Sequence, residues 1–480
     1  MTAQPKISVC IPTHNRARYL GQSIDSVFSQ TLQDFEIIVY DDASSDDTNE
    51  VLARVLDPRL RCFRQSHNVG IARNRNSCLT VARGEYIAWL DSDDLYQPEM
   101  LELQSAVLDR HPEVGLVHGA YHVIDSVGRQ LPDWPRPFTH DIIEAGKEAF
   151  RELVVSNYVI APTVMVRRNC YTRVGPYAAE CSSVEDWEMW MRIALHYDLA
   201  YNTAVVAQYR QHEASVSTLT VRSGERLRRE VRAVRGIFAR HHALIPQPAA
   251  LRSQALAALA AKALIQSGDA FTLNRRAAAL ASALLGLRIV PALLRSRHSW
   301  LFLLSLVRGH EYGNYRHSKA LLGMLHVQLA GTRYGDKIRK LAFVSPEWEE
   351  TLQSIARTVN RIVPRRARVA IVDKWDPTIL HLSQRGGWHF PDRQLLPEGY
   401  PRDSDLAIQH LEQLRQHGAG YLVFPNSAFW WLDYYQDFRC HLDTHYHSVW
   451  CDEQCIIYQL SSPESRSVDV NDQALNQLNP

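Results

Sequence analysis

The chain has 480 residues, 46% hydrophobic and 22% charged, ordinary globular proportions with apolar surface for about three cores of about 150 residues each. Its 53 Lys and Arg nearly balance its 52 Asp and Glu, for a formal charge of +1, which excludes nucleic-acid binding through bulk charge and an acidic disordered tail. The eight cysteines follow no short regular framework, and Cys10 and Cys78 fall in apolar runs, a usage that fits a reducing cytosol.

No basic segment followed by a long apolar stretch opens the chain, so no signal peptide is expected. Over residues 1–219 strands and helices alternate, the pattern of a layered α/β domain. Strands are predicted at 7–11, 36–40, 60–64 and 86–90. Leu20, Ile24, Val27 and Phe28 recur at helical spacing behind the first strand, and a second helix is predicted at 71–82. Asp46 and Asp47 read as the cap of a further helix.

Residues 220–365 shift to Ala, Leu and Arg with helical periodicity, a central helical region. Within 222–240, Leu227, Val231, Val234 and Phe238 share one face, and Arg228, Arg229, Arg232 and Arg235 the other. That basic face is expected either to be solvated or to make peripheral contact with an anionic membrane. The apolar segment 300–307 adds to the membrane option. The stretch 277–307 is cut by Arg288, Pro291, Arg295 and Arg297, so it is not expected to span a bilayer. The expectation is a cytoplasmic protein, soluble or peripheral at the inner face of the plasma membrane. Residues 366–460 return to alternation as a small α/β accessory unit, and 461–480 form a polar tail. There Cys440, His441, His445, His447, Cys451 and Cys455 look like zinc ligands. The Cys spacing lacks paired knuckles, and His445 and His447 are placed in a strand, so no zinc is expected.

Acidic residues gather at predicted strand ends. Asp41 and Asp42 follow the second strand, Asp91, Asp93 and Asp94 follow the fourth, and Glu185 and Asp186 open a helix containing Trp187, Trp190 and Arg192. In open α/β sheets ligands bind at the carboxyl ends of strands, so these loops are where chemistry is expected. Three carboxylates within four residues cannot all stay ionised without a cation, and hard oxygen ligands at that spacing suit Mg²⁺ or Mn²⁺ completed by substrate phosphates. No G-x-G-x-x-G follows the first strand, and the P-loop and G-x-S-x-G patterns are missing.

Six blocks in order resemble family 2 glycosyltransferases of the GT-A fold. They are Ile7-Ser-Val-Cys-Ile-Pro-Thr-His-Asn-Arg16, Phe35-Glu-Ile-Ile-Val-Tyr-Asp-Asp-Ala-Ser44, Asn68-Val-Gly-Ile-Ala-Arg-Asn-Arg-Asn76, Arg83-Gly-Glu-Tyr-Ile-Ala-Trp-Leu-Asp-Ser-Asp-Asp94, Val184-Glu-Asp186 and Tyr209-Arg-Gln-His212. The resemblance implies an α/β nucleotide-sugar-binding domain. Pro12, His14, Asn15, Arg16, Asp41 and Asp42 would line the nucleotide site, with Asp42 accepting from a pyrimidine N–H. Arg73, Asn76, Asp91 and Ser92 would reach the ribose and diphosphate. Asp93, with Asp91 and His212, would hold Mn²⁺ or Mg²⁺, and Asp186, preceded by Glu185, would be the catalytic base. Two departures stand out: Ala43 where the family commonly has Gly, and Ala161 where a small Gly often lies near the donor sugar. The Q-x-x-R-W motif of processive synthases is absent, which implies one sugar per encounter.

The expected activity is metal-dependent, inverting transfer from a nucleoside-diphosphate sugar, a UDP-sugar foremost, to a hydroxyl on a glycan or lipid-linked acceptor. The setting implied by the resemblance is bacterial cell-surface glycan assembly. The alternatives are a sugar nucleotidyltransferase, which would need an early Gly-rich loop, and a non-catalytic binding scaffold. Residues 10–18 contain no Gly.

Overall fold

The computed structural model describes residues 4–215, 220, 225–272, 275–308, 311–342, 346–372, 387–391, 401 and 403–460. Arg222, Gly386 and the polar tail lie outside them. The chain divides into two compact units. The first comprises 1–264, 282–293 and 324–339, and the second 265–281, 294–323 and 340–480. The helical region expected at 220–365 is thus shared between them.

The first unit is built on a ten-stranded sheet. Strands β1 (Ile7–Thr13), β2 (Phe35–Asp41), β3 (Leu60–Arg64) and β4 (Tyr86–Trp89) run parallel in the order β3-β2-β1-β4. Their crossovers are α1 (Ala17–Phe28), α2 (Thr48–Ala53) and α3 (Ile71–Val81). Every residue of β1 is buried, as expected of a central parallel strand covered on both faces. Beyond β4 the sheet continues through β9 (Met165–Arg167), β6 (Val114–Ile124), β10 (Asp198–Arg210) and β5 (Leu95–Tyr96), with β7 (Gln130–Leu131) on β6 and β8 (Ile142–Glu144) on β10. β9 is antiparallel to both its neighbours, and β10 is parallel to β6. The carboxyl ends of β1, β2, β4, β6 and β10 therefore share one edge. This is the GT-A type of sheet that the resemblance implies.

Helices α4 (Met100–Arg110), α5 (Gly146–Leu153), α6 (Arg168–Val174) and α7 (Glu185–Ala194) complete the layers. Gly84 must be glycine: a Cβ there would lie 2.4 Å from the Ser8 backbone nitrogen. The close approach lets Gly84 N–H donate to the Ser8 hydroxyl at 2.8 Å. The cap expected from Asp46 and Asp47 is supplied by Asp46 alone. Its carboxylate accepts from Thr48 N–H and from Ala17 N–H, the first residue of α1, and so ties two helix starts together. Asp47 makes no side-chain cap bond.

The helix Glu225–His241 belongs to the first unit. Leu227, Val231, Val234 and Phe238 are buried as predicted. Of its basic residues, Arg229 donates to Glu225 and to Ser182 O, Arg232 to Glu180 O, and Arg240 to Glu180 and Glu188. Much of that charge is thus spent on the unit's own acids and carbonyls.

Buried beneath this sheet, His118 packs its ring against Tyr201 and Tyr158 at 5.0 and 5.7 Å. Burial, helped by the charge of Arg333, pulls its imidazole down to about 3. An unfolded chain takes up this proton near pH 6.5, whereas the folded one does not until about pH 3. Stability is therefore lost as pH falls through that window. At pH 5 the effect amounts to about 2 kcal/mol. His118→Phe should narrow the difference in Tm between pH 7.5 and pH 5, and an unchanged difference would show that His118 does not carry the acid sensitivity.

The second unit carries a five-stranded sheet, order β12-β11-β13-β15-β14. Its strands are β11 (Arg368–Val372), β12 (Gly387–Phe390), β13 (Ala419–Pro425), β14 (His447–Cys451) and β15 (Cys455–Gln459), with the helix Ser404–Gln416 capped by Asp403. Trp431 is 1% exposed and Trp430 38%, because adjacent helical positions cannot face the same way. His445 ends the helix Gln436–His445, stacked on His441 one turn back, instead of lying in a strand with His447. Among the described residues no group of three His, Cys, Asp or Glu is placed to hold a metal.

Candidate active site

The strand-end loops expected to carry chemistry meet at the shared carboxyl edge. After β1, Asn15 takes φ +52°, and its side chain accepts from Ser45 N–H while its own N–H donates to the Ser44 hydroxyl. Pro12 is buried within β1, and His14 sets Nδ1 2.8 Å from Asp42 O. After β2, Asp41 is buried against Arg64 and the Ser44 N–H. Asp42 accepts the N–H groups of Val69 and Gly70 at 2.7 and 2.9 Å, so it shapes the turn that starts α3. Ala43 takes φ +56°, the left-handed conformation that favours Gly. The departure from the family's Gly falls where backbone conformation explains the preference.

After β4, the three neighbouring carboxyls go to three different partners. Asp91 meets Arg75 Nη2 at 2.6 Å. Asp93 meets His212 Nε2 at 2.9 Å and Arg16 Nε at 3.3 Å. Asp94 is 1% exposed and accepts Arg210 N–H through one oxygen, while the other has no hydrogen-bond partner. Burial, with Asp93 and Asp91 nearby, pushes Asp94 well above the carboxylate range. Burial also raises Asp91 despite Arg75. At Asp93 burial is outweighed by the His212 hydrogen bond and the Arg16 charge, which hold it below its ordinary value. The crowding expected from the spacing thus falls on the innermost carboxyl, whose charged form burial and its acidic neighbours disfavour. Ser92 between them is buried.

Glu185 and Asp186 stand in the first turn of α7. Glu185 is 3% exposed, with Oε1 3.3 Å from Arg75 Nε. Burial raises its carboxyl to about 7, against the pull of Arg75. Asp186 is half-buried, and its side chain accepts the N–H of Trp187. Trp187 and Trp190 are buried, so both pack the helix in place.

Arg75 joins the two acidic groups. It is 2% exposed, bridges Asp91 and Glu185, and lies over the Trp89 ring at 4.9 Å. Sequence reasoning chose Arg73 and Asn76 from the same block. Arg73 is exposed, and the Asn76 amide is committed to both backbone groups of Tyr177. The signal for Arg75 was helical spacing: Ala72, Arg75 and Cys78 lie three apart and are all buried, which marks an arginine turned inward.

His212 follows β10, its ring 5.0 Å from that of Tyr19 and its side chain 6% exposed. Asp93 and His212 are the two groups of the expected metal set that the fold brings together, while Asp91 turns to Arg75. The Asp93 carboxylate is the kind of hard oxygen donor that Mn²⁺ or Mg²⁺ takes, and His212 and Arg16 lie 2.9 and 3.3 Å from it.

The sequence model described as Glycosyl transferase family 2 matches residues 8–171. EpsE of Bacillus subtilis, named as a glycosyltransferase, is 32% identical over 201 residues, which is 40% of this chain and 68% of EpsE. The chain is 26% identical over 214 residues to WfgD of Escherichia coli, a UDP-Glc:alpha-D-GlcNAc-diphosphoundecaprenol beta-1,3-glucosyltransferase, covering 44% of this chain and 79% of WfgD. Residues 1–349 of S. aureus TarS in complex with UDP-GlcNAc superpose with TM-score 0.48 at 19% identity, over 66% of this chain and 91% of that one. The chain belongs to glycosyl transferase family 2 and is a glycosyltransferase.

Proposed function

We propose that the protein transfers one sugar, with inversion, from a UDP-sugar to a hydroxyl of a glycan or lipid-linked acceptor in bacterial surface-glycan assembly. The observation that carries this reading is the division of the acids: Asp93 paired with His212, and Asp186 half-buried at a helix start beside a Glu185 that Arg75 holds. A glycosidase would instead set two carboxyls on opposite sides of the scissile bond. WfgD, whose name gives a UDP-glucose donor and a diphosphoundecaprenol-linked acceptor, supports the donor and the setting.

Asp93 and His212 would hold a divalent cation, which neutralises charge on the departing diphosphate. The chain's own residues do the rest. Asp186 accepts the acceptor's proton as the acceptor oxygen bonds to the anomeric carbon and the bond from that carbon to the diphosphate breaks. Attack from the face opposite the leaving group inverts the centre. Arg75 fixes Asp91 beneath the donor and Glu185 beside Asp186. Glu185, buried and held by Arg75, is a positioning residue in this reading.

Because the described residues bring together no third His, Cys, Asp or Glu beside this pair, cation affinity should depend on nucleotide. Transfer should vanish in EDTA and return with Mn²⁺ or Mg²⁺, and Asp93→Asn should weaken UDP-sugar binding in titration calorimetry as well as turnover. Full turnover in excess EDTA would overturn the metal requirement while leaving the family assignment intact.

A further inference from the structure

The sequence between Asp269 and Glu311 contains six arginines and no Asp or Glu. Within it the second unit holds the helix Arg297–Arg308. One side of this helix is core: Ser299, Phe302, Ser305 and Leu306 are buried. The other side is apolar too, yet exposed. Trp300 is 60% exposed, Leu301 41%, Leu304 42% and Val307 63%, and Leu294 in the preceding turn is 38% exposed. Positions 300, 301, 304 and 307 fall on one stripe of a 3.6-residue helix. The Trp300 indole N–H donates to Leu294 O at 3.0 Å, which anchors the ring against that turn and joins Leu294 to the stripe.

A water-facing helix ordinarily turns charge outward, so an outward stripe of Trp, Leu and Val marks a surface that is covered in use. Arg295 and Arg297 at one end of the stripe and Arg308 at the other are exposed. Apolar side chains with exposed cations at both ends match a surface that is greasy below and anionic above. Among the described residues no helix is long and apolar enough to cross a membrane, so this helix would lie on the bilayer rather than span it.

We infer that the 294–308 segment docks the protein onto an anionic phospholipid surface, Trp300, Leu304 and Val307 entering the acyl boundary while Arg295, Arg297 and Arg308 meet lipid phosphates. This assigns the contact to a helix other than Glu225–His241, whose arginines are largely engaged within the first unit. The inference does not rest on the donor, the acceptor or the metal.

The full-length chain should co-sediment with vesicles of phosphatidylglycerol and phosphatidylcholine in equal parts, bind pure phosphatidylcholine vesicles far more weakly, and be released by high salt. Trp300→Ser/Leu304→Ser/Val307→Ser should lower partitioning by about tenfold or more. Arg295→Gln/Arg297→Gln, at two exposed positions, should lower it about fivefold for each charge removed, and it keeps the test valid if the triple variant fails to fold. UDP-sugar binding should be unchanged in both. Equal sedimentation with both vesicle types, or full binding by the arginine variant, would overturn the inference. So would a dimer in sedimentation velocity that the triple variant abolishes without any vesicle binding, because the stripe would then join two copies of the chain.

Discussion

Asp186→Asn should lower turnover by about 10²- to 10⁴-fold, the usual contribution of a general base, while the UDP-sugar dissociation constant stays within about twofold. The substitution keeps the shape at the start of α7, and an Asn side-chain oxygen can still accept the Trp187 N–H that Asp186 accepts. What it removes is proton uptake as the glycosidic bond forms, a contribution made in the transition state. Measuring donor affinity and single-turnover rate on the same preparation separates the two. Near-normal turnover would place the base elsewhere. Glu185 would be the next candidate, but it would first have to leave Arg75.

Arg75→Met should be the most destabilising single change in the site. Arg75 is buried beside two carboxyls, and it meets Glu185 through Oε1, while Glu185 Oε2 has no hydrogen-bond partner. Removing one member of a buried ion pair typically costs about 3–5 kcal/mol, or very roughly 6–20 °C in Tm for a unit of this size. The pH dependence has a definite sign. Glu185 already sits at about 7 with Arg75 present, burial being the main cause. Without the arginine its folded-state value rises further above the unfolded one. A raised carboxyl binds more protons folded than unfolded, and since the wild-type Glu185 stays protonated up to about 7, the variant's deficit should grow as pH rises through about 7 and above. Arg75→Met/Glu185→Gln should recover part of the loss, because one uncompensated charge is gone. Thermal unfolding at pH 5.5 and pH 8 checks both points. A loss below about 1 kcal/mol at pH 8 would mean that the pair is solvated.

Much of the catalytic unit was legible along the chain because its signals are local. The apolar run at 7–11, the helical spacing of Leu20, Ile24 and Val27, and the Asp-rich loops after 36–40 and 86–90 all follow from neighbouring residues. Each corresponds to an observed element within one or two positions. The tail of the sheet was less legible. β6, β9 and β10 take their order from pairing between segments far apart in sequence, and β9 is only three residues long.

By itself, then, the sequence determined which acids stand at strand ends, which family the chain resembles and which helices are amphipathic. The tertiary structure alone decided what each acid does. Asp91, Asp93 and Asp94 are near-equivalent on paper. They diverge because β10 brings Arg210 and His212 to them from more than a hundred residues away, and α3 supplies Arg75 from the other side. Glu185 and Asp186 are adjacent, yet the helix turns one inward onto Arg75 and leaves the other half-exposed. The same holds for the basic helices. Arg240 of Glu225–His241 finds Glu180 and Glu188 only once the chain has folded, whereas the stripe of Arg297–Arg308 keeps its apolar side in water. Burial and long-range pairing set charge state and exposure, and neither is a property of neighbouring residues.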